Sequence, residues 1–579
     1  MKISFLPQRV ICNAQDGMNL LETATKNNIY IDNDCGSFGI CGKCKVKILA
    51  GNDYKIGNDE LSLLLQSEIT EGYRLACKYN PKNDIVVEIP SIKENVNRKS
   101  ELFKLPENFM INDIYSKEEK AYGIAFDIGT TSVLGMLWNL KTGKNENVIS
   151  KTNPQYSYGA DVISRIMYAE ESSENLNEIH MRIIGCMNDI VDDFLEKNIN
   201  IERNDIKKVA VVGNTAMAHL VMGINPSSLA RFPFEPEFLL GKFMKAKEAK
   251  INLENADFYL MSNLGGHVGS DITAGILATD IINIGKNILQ IDIGTNGEIA
   301  LVSNGQLSVC STAAGPAFEG STITHGMRAV DGAIESVGIY KGSNSNDSDG
   351  SNDKNYNKDG NENNNNNNNK NDNNNNNIDI IEVRTIGNGK PIGICGSGII
   401  DAVAQLRVGN IIDKNGTIRE PDDLLADGYS QEFVNRIRYR ENKKEFVLFY
   451  SADEEKNDIT ISQKDIREVQ LAKAAIYAGA SILMKRMGVD IENLDEINIA
   501  GVFGTYIKID SALAIGLLPN VPKEKIRYVG NSASVGISMA MLSEQKLNEA
   551  EKYLSIVKHM ELSTDDFFQN EYIDALNFK

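Results

Sequence analysis

Tyr122-Gly123-Ile124-Ala125-Phe126-Asp127-Ile128-Gly129-Thr130-Thr131-Ser132 reads as a buried strand ending in a tight turn lined with hydroxyls. Ile288-Leu289-Gln290-Ile291-Asp292-Ile293-Gly294-Thr295-Asn296-Gly297 repeats it, with the two aspartates 165 residues apart. After each turn comes a second strand, Ser132 to Asn139 and Glu298 to Val302. A further turn then leads to a third strand, near Val148 in one copy and over Gln306 to Cys310 in the other. A repeat at so long a period predicts a duplicated domain, with two lobes facing each other across a cleft, and not a solenoid.

The turns suit phosphate. Gly129 lets the backbone come close, and Thr130, Thr131 and Ser132 offer N–H and hydroxyl donors. Gly294, Thr295, Asn296 and Gly297 supply the matching set from the opposite lobe. Asp127 and Asp292 are the expected catalytic carboxylates, placed to hold Mg²⁺ through water, because Mg²⁺ keeps much of its hydration shell and takes one or two carboxylates. Either hairpin alone is a weak signal, since such turns join strands in many folds. Two copies on matching strand–turn–strand units are what predict a nucleotide clamp. Gly501 and Gly504, after the strand Ile497–Ala500, fit close packing of a flat base or ribose, although glycines there also serve plain helix–strand packing. Gly396 and Ser397, in the glycine-rich run Gly393 to Gly398, complete the expected nucleotide contacts.

The other chemical signal lies near the N-terminus, in Cys35-x5-Cys41-x2-Cys44 with Cys77 far downstream. Three close thiolates and one distant one form the plant-type [2Fe–2S] arrangement, here with the first gap one residue longer than in photosynthetic ferredoxins. Structural zinc sites instead come as two close pairs. Gly36, Gly39 and Gly42 let the loop turn tightly with its N–H groups toward sulfur. Strands at Ile3–Phe5, Arg9–Cys12, Lys45–Ile48 and Val86–Ile89, with a helix from about Met18 to Asn27, predict a small β-grasp fold. Cys12, Cys186, Cys310 and Cys395 are scattered and read as small buried residues, Cys395 lying nearest a ligand.

The chain has 579 residues, 42% of them hydrophobic, enough for several cores. The expected units are an iron–sulfur domain over 1–92, a polar linker over 93–120, a first lobe of the nucleotide clamp over 121–285 and a second over 286–579. Residues 343–377, with runs of seven and five asparagines, lack the apolar surface that ordering requires and read as a disordered insertion. A formal charge of −19 argues against nucleic acid or an anionic membrane as partner. No 18-residue apolar run is present, and the opening apolar run is too short for a signal peptide. Bunched cysteines of this kind point to metal chemistry in a reducing cytoplasm.

The three-part clamp resembles the acetate kinase, sugar kinase, Hsp70 and actin superfamily. Asp127–Ser132 is similar to its first phosphate motif, Asp292–Gly297 to its second, Ala500–Gly504 to its adenosine motif, and Gly530–Gly536 to the helix that follows. That resemblance implies two ribonuclease-H-like α/β lobes closing on ATP. Joined to a plant-type cluster, the pattern resembles the reductive activators of corrinoid proteins. Cys41–Cys44, Asn153-Pro154-Gln155, Tyr158–Arg165, Gly213–Met217, Thr312–Gly320 and Gly393–Gly398 continue the match.

The resemblance implies a [2Fe–2S] cluster, ATP with Mg²⁺, a corrinoid protein as partner, an upstream low-potential electron donor and a homodimer. It also implies ATP-dependent delivery of one electron that turns cob(II)alamin into cob(I)alamin for methyl transfer. A plant-type cluster near −400 mV would drive that step uphill, and each ~60 mV costs about 1.4 kcal/mol for one electron. Nucleotide supplies the difference only by differential affinity for two states of the protein. None of the five histidines lies in an Asp-x-His-x-x-Gly pattern, so the corrinoid is expected on a partner. The alternatives are a small-molecule kinase, with Asp271 or Glu319 as base, an ATP-binding redox sensor, or another ATP-driven reductase.

Overall fold

The computed structural model describes every residue except 8, 16, 28, 30, 32–41, 52–55, 62, 65, 91–103, 113, 114, 116, 160, 342–378, 441, 442, 452–457, 502 and 503. Cys35, Cys41 and the asparagine-rich stretch therefore lie outside the described residues.

The N-terminal unit contains β1 (Lys2–Leu6), β2 (Val10–Asn13), α1 (Leu20–Lys26), β3 (Lys45–Ala50), short α2 (Asn58–Leu61) and α3 (Gln66–Thr70), β4 (Tyr73–Leu75) and β5 (Ile85–Glu88). Its sheet runs β2-β1-β5-β3-β4, with β1 and β5 parallel. Asn19 starts α1 through a reciprocal cap: its side chain accepts from Glu22 N at 2.8 Å, and the Glu22 carboxylate accepts from Asn19 N at 3.1 Å. Leu20, Leu21 and Ala24 then pack on Ile3, Phe5, Val46 and Val87. One helix on a five-stranded mixed sheet is the β-grasp arrangement.

Next come β6 (Tyr122–Ile128), β7 (Ser132–Asn139), β8 (Asn145–Thr152), α4 (Val162–Glu171), α5 (Ser173–Lys197), β9 (Ile206–Gly213), α6 (Thr215–Val221), β10 (Lys242–Lys245), β11 (Asp257–Leu260) and α7 (Ser270–Thr279). The second half opens with β12 (Ile288–Ile293), β13 (Gly297–Ser303) and β14 (Gln306–Thr312). An added subdomain holds β15 (Ala333–Tyr340), β16 (Ile380–Thr385), β17 (Gly393–Ile394), α8 (Gly396–Val408), α9 (Pro421–Ala426), α10 (Gln431–Val434), β18 (Ile437–Arg440), β19 (Lys443–Phe449) and β20 (Ile459–Ser462). The chain closes with α11 (Gln463–Met487), β21 (Glu496–Ala500), α12 (Ile509–Ile515), β22 (Ile526–Gly530), α13 (Ser532–Leu542), α14 (Glu544–Ile556), β23 (Val557–His559) and α15 (Phe568–Ala575).

The duplication is visible in the sheets. One runs β10-β11-β9-β6-β7-β8 and the other β22-β21-β12-β13-β14-β23. In each, the antiparallel hairpin after the aspartate strand is flanked on the other side by a parallel partner, β9 for β6 and β21 for β12. Alternation along β6 sends Ile124, Phe126 and Ile128 outward onto the Ile183, Met187, Ile190 and Phe194 face of α5. Leu289, Ile291 and Ile293 of β12 face Ile476 and Leu483 of α11 in the same way.

Between the sheets lie α7 and α13. Their Ile272, Ile276, Ile537 and Met541 share a core with Ala125, Met136 and Val212 of the first sheet and Ala300, Val302 and Val309 of the second. The approach is close enough to demand small residues. A Cβ on Gly536 would lie 1.8 Å from Ala274 O, and one on Gly123 would lie 2.7 Å from Met541 Sδ.

The segment expected as a linker departs from that expectation in its described part. Leu105, Phe109, Ile111 and Tyr115 pack against this inter-sheet core, and Asn112 N donates to Leu542 O at 2.9 Å. Its charged composition conceals four apolar residues placed to cover the end of α13. Among the described residues, no helix is long and apolar enough to cross a membrane.

Candidate functional site

The C-terminal ends of β6 and β12 bring Asp127 and Asp292 to the same cleft. Asp271, in the first turn of α7, and Glu298, at the start of β13, join them. All four side chains are half-buried, so the cleft reaches each one. Burial first, then the charges of Asp292 and Asp127, push the Asp271 carboxyl up to about 7. Burial and Asp127 likewise push Asp292 up to about 7. Glu298 is driven well above the usual carboxylate range by burial and then by Asp271 and Asp292. Asp127 is raised by burial, a rise opposed by hydrogen bonds from Ser534 Oγ at 2.7 Å and Asn531 Nδ2 at 3.2 Å. Packed carboxylates of this kind are relieved by a cation. No group of three or more His, Cys, Asp or Glu among the described residues is placed to hold a metal ion directly. Carboxylates are the donors that Mg²⁺ takes, one or two at a time with water filling the rest of its shell.

The two expected phosphate turns are braced from outside. In the first, Gly129 N donates to Ser132 O at 2.9 Å, closing the turn. Asn153 Nδ2 donates to Gly129 O at 2.8 Å. Arg165, fully buried, donates to Thr130 O at 2.6 Å and Gly159 O at 2.9 Å. Asn214 Nδ2 donates to Thr130 Oγ1 at 3.3 Å. In the second turn Gly294 N donates to Asn296 O at 2.9 Å, and Asn296 donates from its side chain to Glu298. A Cβ on Gly297 would lie 2.7 Å from Ile476, which fixes glycine there. Glu319 joins the two turns across the cleft: it accepts from Thr131 Oγ1 at 3.4 Å and, through its other oxygen, from Thr295 Oγ1.

Gly501 has φ +89°, and a Cβ there would lie 2.6 Å from Asp292 Oδ1, so the third motif touches the second. Gly504 lies against Ile499, while residues 502 and 503 fall outside the described residues. Gly396 and Ser397 open α8, with Ser397 Oγ beside Cys395 Sγ at 3.3 Å. Next to them, a Cβ on Gly398 would lie 2.1 Å from Ile334 O, so helix–strand packing accounts for that glycine.

Sequence reasoning missed Glu298, Asn531 and Ser534 as site residues, and weighed Asp271 and Glu319 only as kinase bases or helix-capping acids. Glu298 was open to discovery, standing one residue beyond Gly297. His219 packs within the first lobe: Nδ1 meets Thr215 O at 2.7 Å, Nε2 accepts from Glu237 N at 3.1 Å, and the ring stacks on Phe238.

In the N-terminal unit, Cys44 and Cys77 are buried and side by side, with Sγ–Sγ 3.3 Å. The hydrogen bond that the Cys44 thiol donates to Cys77, and then burial, raise the Cys44 thiol far above its ordinary value. Two thiols so placed, on a loop and beyond a strand end, fit the pair of thiolates that one iron of a [2Fe–2S] unit takes.

Three family descriptions match the chain in succession: a 2Fe-2S iron–sulfur cluster binding domain over 4–82, the RACo middle region over 122–283, and the C-terminal domain of RACo, the ASKHA domain, over 286–579. The corrinoid activation enzyme RamQ of Eubacterium limosum is 37% identical over 79% of this chain and 70% of its own length. The [Co(II) methylated amine-specific corrinoid protein] reductase of Methanosarcina barkeri is 24% identical over 79% of this chain and 77% of its own. Among solved structures, a reductive activator for a corrinoid, iron–sulfur protein superposes with TM-score 0.66 at 29% identity, covering 100% of this chain and 98% of that one. The chain belongs to the RACo family of reductive activators of corrinoid proteins, with an N-terminal 2Fe-2S domain followed by an ASKHA-type ATPase.

Proposed function

We propose that the protein delivers one electron from a [2Fe–2S] cluster on Cys35, Cys41, Cys44 and Cys77 to cob(II)alamin on a separate corrinoid protein, at the expense of Mg-ATP. The observation that carries this reading is the joining, on one chain of this family, of the buried Cys44–Cys77 pair to a two-lobed cleft of clustered carboxylates. The cluster supplies a one-electron reductant. The thiols of Cys44 and Cys77 hold it at the end of a β-grasp sheet.

In the cleft, Asp127, Asp271, Asp292 and Glu298 take the waters of Mg²⁺, and the turns at Thr130–Ser132 and Thr295–Gly297 turn their donors to phosphate. Gly501 and Gly504 leave room for the base and ribose. Nucleotide contributes by favouring one arrangement of the lobes over another, which requires that it touch both, and Asp127 and Asp292 come from opposite lobes. The N-terminal unit over 1–92 and lobes over 121–285 and 286–579 are the working parts. A low-potential donor refills the cluster, two chains pair as a homodimer, and the protein works in a reducing cytoplasm.

The test is an anaerobic spectroscopic assay. Chemically reduced protein is mixed with cob(II)alamin-loaded corrinoid proteins from the same source, with and without Mg-ATP. Cob(I)alamin absorption appearing only with Mg-ATP is the expected outcome. Full cobalt reduction without nucleotide would refute the coupling, and none under either condition would refute the reductase itself.

A further inference from the structure

The cluster domain rests on both ATPase lobes. Lys43, next to the ligand Cys44, donates from Nζ to Gly326 O at 2.5 Å, in the second lobe. On the other side, Arg182 of α5, in the first lobe, donates from Nη2 to Thr25 O near the end of α1 at 3.3 Å. The domain therefore straddles the cleft, and relative movement of the lobes cannot keep both contacts.

The Gly326 end is rigidly built. A Cβ on Gly326 would lie 2.0 Å from Gly320 O, so the chain folds back on itself with two glycines in contact. Ile394 N donates to His325 O at 2.8 Å, and Met327 N donates to Ile394 O at 2.9 Å. Thr324 donates from both N and Oγ1 to Asp465 Oδ1, at 2.8 and 3.0 Å, tying the segment to the first turn of α11. This braced segment begins one residue after Glu319, which accepts from Thr131 and Thr295 in the two phosphate turns. A phosphate entering the cleft competes for those hydroxyls and repels the Glu319 carboxylate. The resulting displacement falls on a stiff segment whose other end holds the cluster loop.

We propose that Lys43 is a positioning residue for electron delivery: it fixes the cluster loop to the second lobe through Gly326, so that nucleotide-driven lobe movement carries the cluster with that lobe and parts it from Arg182. The proposal rests on the ATP-coupled function above but is tested without cobalt, so the two fail separately.

The experiment is a distance measurement by dipolar electron paramagnetic resonance on the full chain with its cluster oxidised. Nitroxides are placed at the exposed positions Ile11 of β2 and Val408 of α8, as Ile11→Cys and Val408→Cys. A second pair joins Ile11→Cys to Ile199→Cys, an exposed position just beyond α5 in the first lobe. With a non-hydrolysable Mg-ATP analogue, the Ile11–Val408 distance should stay single and narrow while the Ile11–Ile199 distance shifts. Lys43→Ala should replace the narrow Ile11–Val408 distance by a broad distribution, whereas Lys43→Arg and Arg182→Ala should keep it. The readout uses no cluster signal, so it stands even where Lys43→Ala lowers cluster loading. An unchanged narrow distance in Lys43→Ala overturns the proposal. So does an Ile11–Ile199 distance that ignores the nucleotide analogue.

Discussion

The Ser534 hydroxyl donates to the Asp127 carboxylate at 2.7 Å, joining residues 407 positions apart. Asn531 caps α13 by accepting from Ser534 N at 3.1 Å, and the same side chain donates to Asp127 at 3.2 Å. The helix between the two sheets thus presents its first turn to the aspartate of the first phosphate strand. These donors favour the ionised form against the burial that opposes it.

Ser534→Ala removes one hydrogen bond to a charged acceptor, a loss of about 1.5–3 kcal/mol. Mg-ATP affinity measured by calorimetry is expected to fall by about one to two orders of magnitude, with the visible spectrum of the cluster unchanged. Undiminished affinity would show that the contact serves folding alone.

The carboxylate cluster makes stability depend on pH with a definite sign. Asp271 and Asp292 are held at about 7 in the folded chain, against about 3.9 for an unperturbed aspartate. Between those values the folded state binds more protons than the unfolded state. Stability of the nucleotide-free protein therefore falls as pH rises from about 4 through 7. Above that window the ionised groups repel, and Mg²⁺ has the most to relieve. The rise in unfolding temperature caused by Mg-ATP should be larger at pH 8 than at pH 6. Asp292→Asn should raise the unfolding temperature of the nucleotide-free protein at pH 8 and abolish the Mg-ATP shift. An Asp292→Asn protein that unfolds like the parent and still responds fully would remove Asp292 from the site.

Much of this was legible because it lies in local pattern. The strands Tyr122–Ile128 and Ser132–Asn139 are bounded by the Gly129 turn, and the second copy follows the same alternation. The Cys44–Cys77 proximity is implied by ligand spacing alone. What the sequence hid depends on contacts between distant segments. Nothing near Ser534 marks it as a partner of Asp127, and its role appears only when α13 is seen to lie between both sheets. Glu319 reads locally as a helix-capping acid or a base; its position between Thr131 and Thr295 needs both lobes in place. Leu105 and Phe109 were masked by the charged residues around them, because composition averages over a segment while packing selects individual side chains.

Arg165 offers a sharper test of the first turn, since it touches only backbone carbonyls there. Burial pulls its guanidinium down to about 10, so it remains cationic near neutral pH. It reaches Thr130 O and Gly159 O at once from a planar fork, a geometry that lysine cannot copy. Arg165→Lys is therefore expected to behave like a loss: Mg-ATP affinity falls and the unfolding temperature drops. Calorimetry and thermal unfolding on the same preparation check both. Parent-like affinity in Arg165→Lys would mean that charge alone suffices.

The two halves of the molecule should also separate cleanly by mutation. Cys77→Ser replaces a buried thiol that sits 3.3 Å from Cys44. Serine is nearly isosteric, but its alkoxide is a poor match for iron, which prefers thiolate. The expected product is a folded chain that binds Mg-ATP normally, has weakened or shifted cluster absorption, and no longer reduces cob(II)alamin. Cys310→Ser, at an equally buried thiol in β14, serves as control and should keep both activities. Visible absorption, nucleotide titration and the cobalt assay on the three proteins decide the matter. If Cys77→Ser retained full ATP-dependent cobalt reduction, the electron would have to come from elsewhere in the chain. The N-terminal unit would then be a docking module for the corrinoid partner and not its reductant.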